Sequence, residues 1–189
     1  IYAGRLDSIL EGKLYLRDFF LLNKNDWESF DDKKELFYDN DTFIYDLEDN
    51  KEISFKEFFA GDYAVDEDNL RDRKLRDWYG YIYTDGDRIS SIYVKKKMDS
   101  LLKQRTTIGI VEGAPYDNKL MGWTIRVHDV KDWSSRHEEW MAKNASLNIY
   151  LKEAMIVKNG KRIAPEDLKP GDRLYMVRED VVGKIVVVK

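Results

Sequence analysis

Apolar and polar positions alternate along this chain in short runs, and glycine, aspartate or asparagine interrupts them every few residues. Such a period-two pattern predicts β-strands joined by tight turns. Tyr2 to Ile9 reads as a strand, Glu11-Gly12-Lys13 as a turn and Leu14 to Leu22 as the returning strand. Further on, Thr107 to Val111 leads through a turn around Pro115 to Lys119 into Trp123 to Val130. An Asp-Trp pair follows each opening, Asp26-Trp27 in one and Asp132-Trp133 in the other. Beyond these pairs, Glu28 to Leu36 and Ser134 to Lys143 have helical character, with Ser135 and Glu138 at the spacing of a capping box. Strands resume at Thr42 to Tyr45 and at Ala154 to Val157, each before a turn, Glu48 to Lys51 and Lys158 to Lys161. Asn159-Gly160 is the stronger turn signal, because both residues tolerate positive φ.

The chain then repeats itself. Ile163-Ala-Pro-Glu-Asp-Leu-Lys-Pro-Gly-Asp-Arg-Leu-Tyr-Met-Val177 echoes Ile53-Ser-Phe-Lys-Glu-Phe-Phe-Ala-Gly-Asp-Tyr-Ala-Val65. In both, a single helical turn starting at Ser54 or Ala164 ends at glycine, and Pro165 suits the first helical position. Phe58 and Leu168 are expected to plug a barrel end beneath that turn, while Gly61-Asp62 and Gly171-Asp172 set the turn into the closing strands. Trp27 and Trp133 are expected to pin the hairpins at equivalent places. The duplication predicts a first module over residues 1–94 with an insertion at 66–77, a basic linker over 95–104 and a second module over 105–189. With about five or six short strands in each, the expected fold is all-β with short helical segments, two tandem OB-like or SH3-like small β-barrels. The last strand, Lys184 to Val188, is expected to remain an edge open to a neighbouring module.

Composition narrows the partners. Acids number 36 against 32 bases, and charged residues reach 36% of the chain. A near balance of this kind argues against a nucleic-acid binder, which shows a basic stripe. No run approaches the length of a membrane-spanning segment, so direct membrane insertion is not expected. Zero cysteine excludes disulfides, thiolate metal sites and thiol nucleophiles.

Candidate chemistry is sparse. His128 and His137 are the two histidines, with no serine elbow to complete a triad. The neighbouring acids Asp31-Asp32 and Glu138-Glu139 point apart rather than into one cleft, so catalytic residues are not expected. Calcium is the one ion for which loop oxygens gather, at Asp39 and Asp41, at Asp66 and Asp68, and at Asp85 and Asp87, although none fits the EF-hand spacing. No other cofactor is expected. In the first module Tyr79, Tyr81 and Tyr83 share one face of a strand, with Trp78, Gly80 and Ile82 on the other. An exposed tyrosine row would stack saccharides; cross-strand aromatic pairing accounts for the same row without a ligand.

The phrase Asp167-Leu-Lys-Pro-Gly-Asp-Arg-Leu-Tyr-Met-Val177, followed by Lys184-Ile-Val-Val-Val188, resembles repeated β modules of Gram-positive cell-surface proteins that carry S-layer homology domains. The likeness is close over residues 150–189 and looser over 1–94, where Phe59-Ala60 replaces Lys169-Pro170. It implies a non-enzymatic structural or adhesive module, extracellular at the cell surface or wall, whose partners are other surface modules or wall polymer. A saccharide-binding module using the tyrosine face is the alternative.

Overall fold

The structure is a computed structural model that describes residues 1–60, 63 and 78–189. The chain divides into two compact units, one of Ile1–Asn23 and Trp27–Asp99, the other of Lys24–Asp26 and Ser100–Lys189. Gly61, Asp62, Asp66, Asp68 and the insertion expected at 66–77 lie outside the described residues. Among the described residues no helix is long and apolar enough to cross a membrane.

The first unit runs β1 (Tyr2–Leu10), β2 (Lys13–Asn23), β3 (Asp26–Phe37), β4 (Phe43–Asp46), β5 (Lys51–Glu52), α1 (Phe55–Ala60), β6 (Tyr79–Asp85) and β7 (Arg88–Lys95). The sheet order is β3-β2-β1-β6-β7-β4-β5, and β3 returns to pair with β7. That pairing is parallel, through Phe37 and Arg88, and closes a five-stranded barrel. With α1 placed between the third and fourth barrel strands, this is an OB-type barrel. Leu6, Leu14, Leu16, Ile44, Ile82 and Ile92 fill it, and Phe58 of α1 lies in the same core with no exposure.

The second unit repeats the plan with β8 (Gln104–Val111), β9 (Tyr116–Asn118), β10 (Gly122–Ser134), β11 (Glu139–Ala142), β12 (Leu147–Tyr150), β13 (Met155–Lys158), β14 (Lys161–Arg162), β15 (Arg173–Glu179) and β16 (Val182–Val188). Here β12 pairs with both β10 and β16, closing the barrel by a parallel pair at Tyr150 and Val182. A 3₁₀ turn at Pro165–Asp167 stands where α1 does, with Pro165 at its first position, and Leu168 is buried below it.

A matching pinch bends the second strand of each barrel. Asp18 and Asp129 both have positive φ, at 52° and 50°. Each sits at a register break, opposite Gly4 in one barrel and Gly109 in the other. A Cβ on Gly4 would lie 3.0 Å from Phe19 Cα, and one on Gly109 would overlap Val127 Cγ1. The bulge turns the strand sharply enough to serve both sides of a small barrel, and glycine is the residue that lets the strands close there.

Three expectations need correction. Glu28 to Leu36 is strand β3, and Ser134 to Lys143 is the end of β10, a turn and β11, so neither segment is helical. Their outward faces are solvated, so charge removed the strand periodicity, and barrel closure decided the conformation. Glu138 therefore caps nothing and has a positive φ of 52°. The capping box lies instead at α1, where Glu57 N donates to Ser54 Oγ at 3.2 Å and Ser54 N to Glu57 Oε2 at 2.8 Å. Finally, Lys184 to Val188 is no edge. It is flanked by β15 and by β13, which pairs in parallel from Met155↔Ile185 to Lys158↔Val188.

Candidate functional site

The tyrosine row sits on the outer face of β6, as the alternation requires, with Gly80 buried and Ile82 in the core. Its exposure is uneven. Tyr81 is 3% exposed and its hydroxyl meets Asp99 Oδ2 at 3.3 Å, whereas Tyr79 and Tyr83 are half-buried. Across the ladder, Tyr81 faces Tyr93, which touches Tyr45 and Phe43 with centroids 5.3 and 6.0 Å away. Cross-strand packing thus occupies the middle of the row and leaves its two ends half-open.

Of the acidic loops, those at Asp39 to Asp41 and at Asp87 are tied down within the protein. Asp39 Oδ1 accepts the Asp41 amide at 2.9 Å, and Arg88 Nη2 lies 2.6 Å from Asp39 Oδ2 and 3.6 Å from Asp41 Oδ2. Asp87 accepts Lys34 Nζ at 2.7 Å. Among the described residues no three histidine or acidic side chains converge as metal ligands. His128 Nδ1 is 3.2 Å from Asp129, and His137 lies in the exposed turn between β10 and β11.

The residues expected to shape the barrels are placed as follows. Gly171, at φ 90°, and Asp172 fasten the closing turn to β8, since Gly171 N donates to Val111 O and Val111 N to Asp172 O, both at 2.9 Å. The Asp172 carboxylate accepts Lys158 Nζ and the Lys169 amide, each at 2.9 Å. Burial alone would raise its pKa; these donors outweigh it and hold the carboxyl below its usual value. Trp27 and Trp133 do not occupy equivalent places. Trp27 is the second residue of β3, whereas Trp133 is near the end of β10, facing Trp140 across the hairpin at 5.4 Å. In strand order the counterpart of Trp27 is Trp140. Both predicted tryptophans are half-buried and neither belongs to a core cluster.

Two buried carboxylates, whose ionic role the sequence does not announce, anchor charge clusters. Asp132 is 5% exposed, with Arg178 Nη2 at 2.6 Å, Thr107 Oγ1 at 2.7 Å, Lys143 Nζ at 3.3 Å and Arg105 Nη1 at 3.5 Å. In the first unit Asp7, 3% exposed, lies among Arg17, Arg5 and Lys33 at 3.3, 3.7 and 3.7 Å.

Among the described residues, one concave feature with chemistry of its own is a hollow of about 450 Å³ at the foot of the first barrel, lined by Asp46, Glu48, Asp49, Glu57, Ala60, Tyr63, Trp78 and Lys96. These come from the β4–β5 turn, from α1, from either end of the stretch outside the described residues, and from the end of β7. Asp46, 1% exposed, forms the floor. Its Oδ1 accepts the amides of Glu48 and Asp49 at 2.8 and 3.1 Å, and its Oδ2 faces the Tyr63 hydroxyl at 3.3 Å. Burial, reinforced by the Asp46 charge, pushes the Tyr63 phenol up to about 12. Tyr63 and Trp78 make an aromatic corner, centroids 4.9 Å apart at 56°, and Lys96 Nζ lies 5.5 Å from the Trp78 ring. In the sequence, Glu48 to Lys51 reads as a turn and Trp78 lies on the strand face opposite Tyr79, Tyr81 and Tyr83. No local signal joins the lining residues, which are spread from position 46 to position 96.

No family model matches the chain, and no curated protein or solved structure is similar enough to match it.

Proposed function

We propose that this chain is a non-enzymatic contact module of a cell-surface or S-layer-associated protein, in which two OB-type barrels act as spacer and adhesive surface toward neighbouring modules or wall polymer. The observation that supports this reading is the duplication of one barrel plan, down to its bulge and plugged turn. Duplicated barrels extend a contact surface without requiring a reaction centre. Acidic side chains such as Asp132, Asp172 and Asp39 are engaged in fixed ion pairs, which suits a structural part. The test is co-sedimentation of the full chain with purified Gram-positive cell walls, alongside protease shaving of intact cells. Retention on walls and cleavage from outside are expected. A chain that stays in the supernatant and is shielded in intact cells would sink the proposal.

A second reading, saccharide binding, draws on Tyr79 and Tyr83, whose half-open rings flank the packed tyrosine pair. It predicts that Tyr83→Ala abolishes retention on a saccharide column while leaving the melting temperature of the chain in place. Unchanged retention would remove this reading.

A further inference from the structure

We propose that the hollow of the first unit is a recognition site for an organic ammonium group. Its volume, about 450 Å³, is in the range of small-molecule sites. Among the described residues four carboxylates line it against one lysine, and their field favours a cation over an anion. Asp49 is already paired with Lys51 at 3.1 Å, which leaves Glu48 and Glu57 as the principal rim charges.

The arrangement of these acids selects the kind of cation. A bare calcium ion needs six to eight oxygens at about 2.3–2.6 Å, and no such convergence exists among the described residues. Spread around an aromatic corner, the same charges suit a bulky, weakly hydrated cation that exchanges water for ring faces. Trp78 demonstrates this capacity within the protein, because Lys96 Nζ already stands 5.5 Å from its ring. Lys96 is thus an internal occupant of the position that a ligand ammonium would take. Its backbone amide is held by Glu48 Oε1 at 2.9 Å, while its exposed side chain is free to swing aside. Asp46 at the floor is consumed by local hydrogen bonds and orients Tyr63, rather than meeting the ligand directly.

The site stands apart from the wall-contact proposal, so either can fail alone. The experiment titrates the full chain with choline chloride, following the indole N–H resonances by NMR. One arm uses the neutral isostere in which carbon replaces the quaternary nitrogen, and another uses Nα-acetyl-lysine methylamide to present the ammonium as a peptide would. A saturable shift of one indole resonance is expected, with a Kd of about 1–10 mM and binding of the isostere about tenfold weaker. Whichever ammonium arm binds more tightly identifies the source, small amine or peptide side chain. Lys96→Met, which removes the internal competitor, is expected to tighten choline binding about fivefold or more. Glu48→Gln is expected to weaken it about threefold. Because Trp78 also packs against the first core, these two surface substitutions test the site without threatening the fold. Equal binding of the isostere, no saturable shift up to about 100 mM, or an unchanged Kd in Lys96→Met would each overturn the assignment.

Discussion

Removing the carboxylate of Asp132 should damage the second barrel more than its single charge suggests. Asp132 and Arg178 are each 5% exposed, and their closest atoms are 2.6 Å apart. At that distance and an effective dielectric of about 20 the gross attraction is about 6 kcal/mol. Desolvating the two ions offsets much of this, at several kcal/mol each, so the intact pair adds little net stability. Asp132→Ala, however, strands a buried guanidinium and costs about 3–5 kcal/mol. Arg178→Met is milder, because Asp132 keeps Thr107, Lys143 and Arg105 as partners. The double variant Asp132→Leu with Arg178→Met should recover most of the loss. Urea unfolding followed by tryptophan fluorescence reads the second unit through Trp123, Trp133 and Trp140. With a slope of about 1.5 kcal/mol per molar, Asp132→Ala should lower the midpoint by about 2–3 M. Acid provides an independent reading. Burial alone would raise the Asp132 pKa, but hydrogen bonds from Thr107 and Arg178 outweigh it and hold the carboxyl below its usual 3.8. Its stabilisation is therefore present above 3.8 and is lost as the pH falls through the lower folded value, so wild type and Asp132→Ala should converge in acid. A loss under about 0.5 kcal/mol, or strictly additive effects in the double variant, would refute the reasoning.

Gly109→Ala should cost about 1–3 kcal/mol in the second unit, since its Cβ would overlap Val127 Cγ1 and lie 3.1 Å from His128 O; an unchanged melting curve would show that the pinch relaxes freely. Tyr38 and Tyr63 have phenols pushed up to about 12, in both cases chiefly by burial. The stability they contribute is complete below 10, the ordinary value, and is lost as the pH rises toward about 12. Phenolate absorbance should therefore show at least two of the twelve tyrosines titrating late, with Tyr15 and Tyr175 also raised by a carboxylate partner and by burial respectively, together with alkaline unfolding of the first unit; early titration of all twelve would contradict this.

Much of the barrel plan was written locally. The turns at Glu11-Gly12, Asp85-Gly86 and Asn159-Gly160 depend on nearby residues, and the Phe58 and Leu168 plugs follow from a short amphipathic turn. What failed was set by distant partners. β3 became a strand because β2 and β7 needed a closing neighbour, and its solvated residues carried no period to announce it. β16 looked like an edge because its parallel partner β13 is separated from it by β14, a 3₁₀ turn and β15. The hollow escaped notice for a related reason. Its lining comes from positions 46 to 96, and no single segment carries more than part of it.

The order of strands also has a mechanical consequence. In the second unit β8 and β16 lie on opposite sides of β15, both antiparallel to it, so they run in the same direction. Gln104, where β8 begins, is level with Glu179, while Val188, near the end of β16, is level with Leu174. Tension applied through these two points drags β8 and β16 past β15 along the strand axes. The ladders are then strained in shear, many hydrogen bonds together, instead of being unzipped one by one. A barrel strung this way in a chain under pull would hold until the ladder yields cooperatively, whatever ligand its partner unit carries.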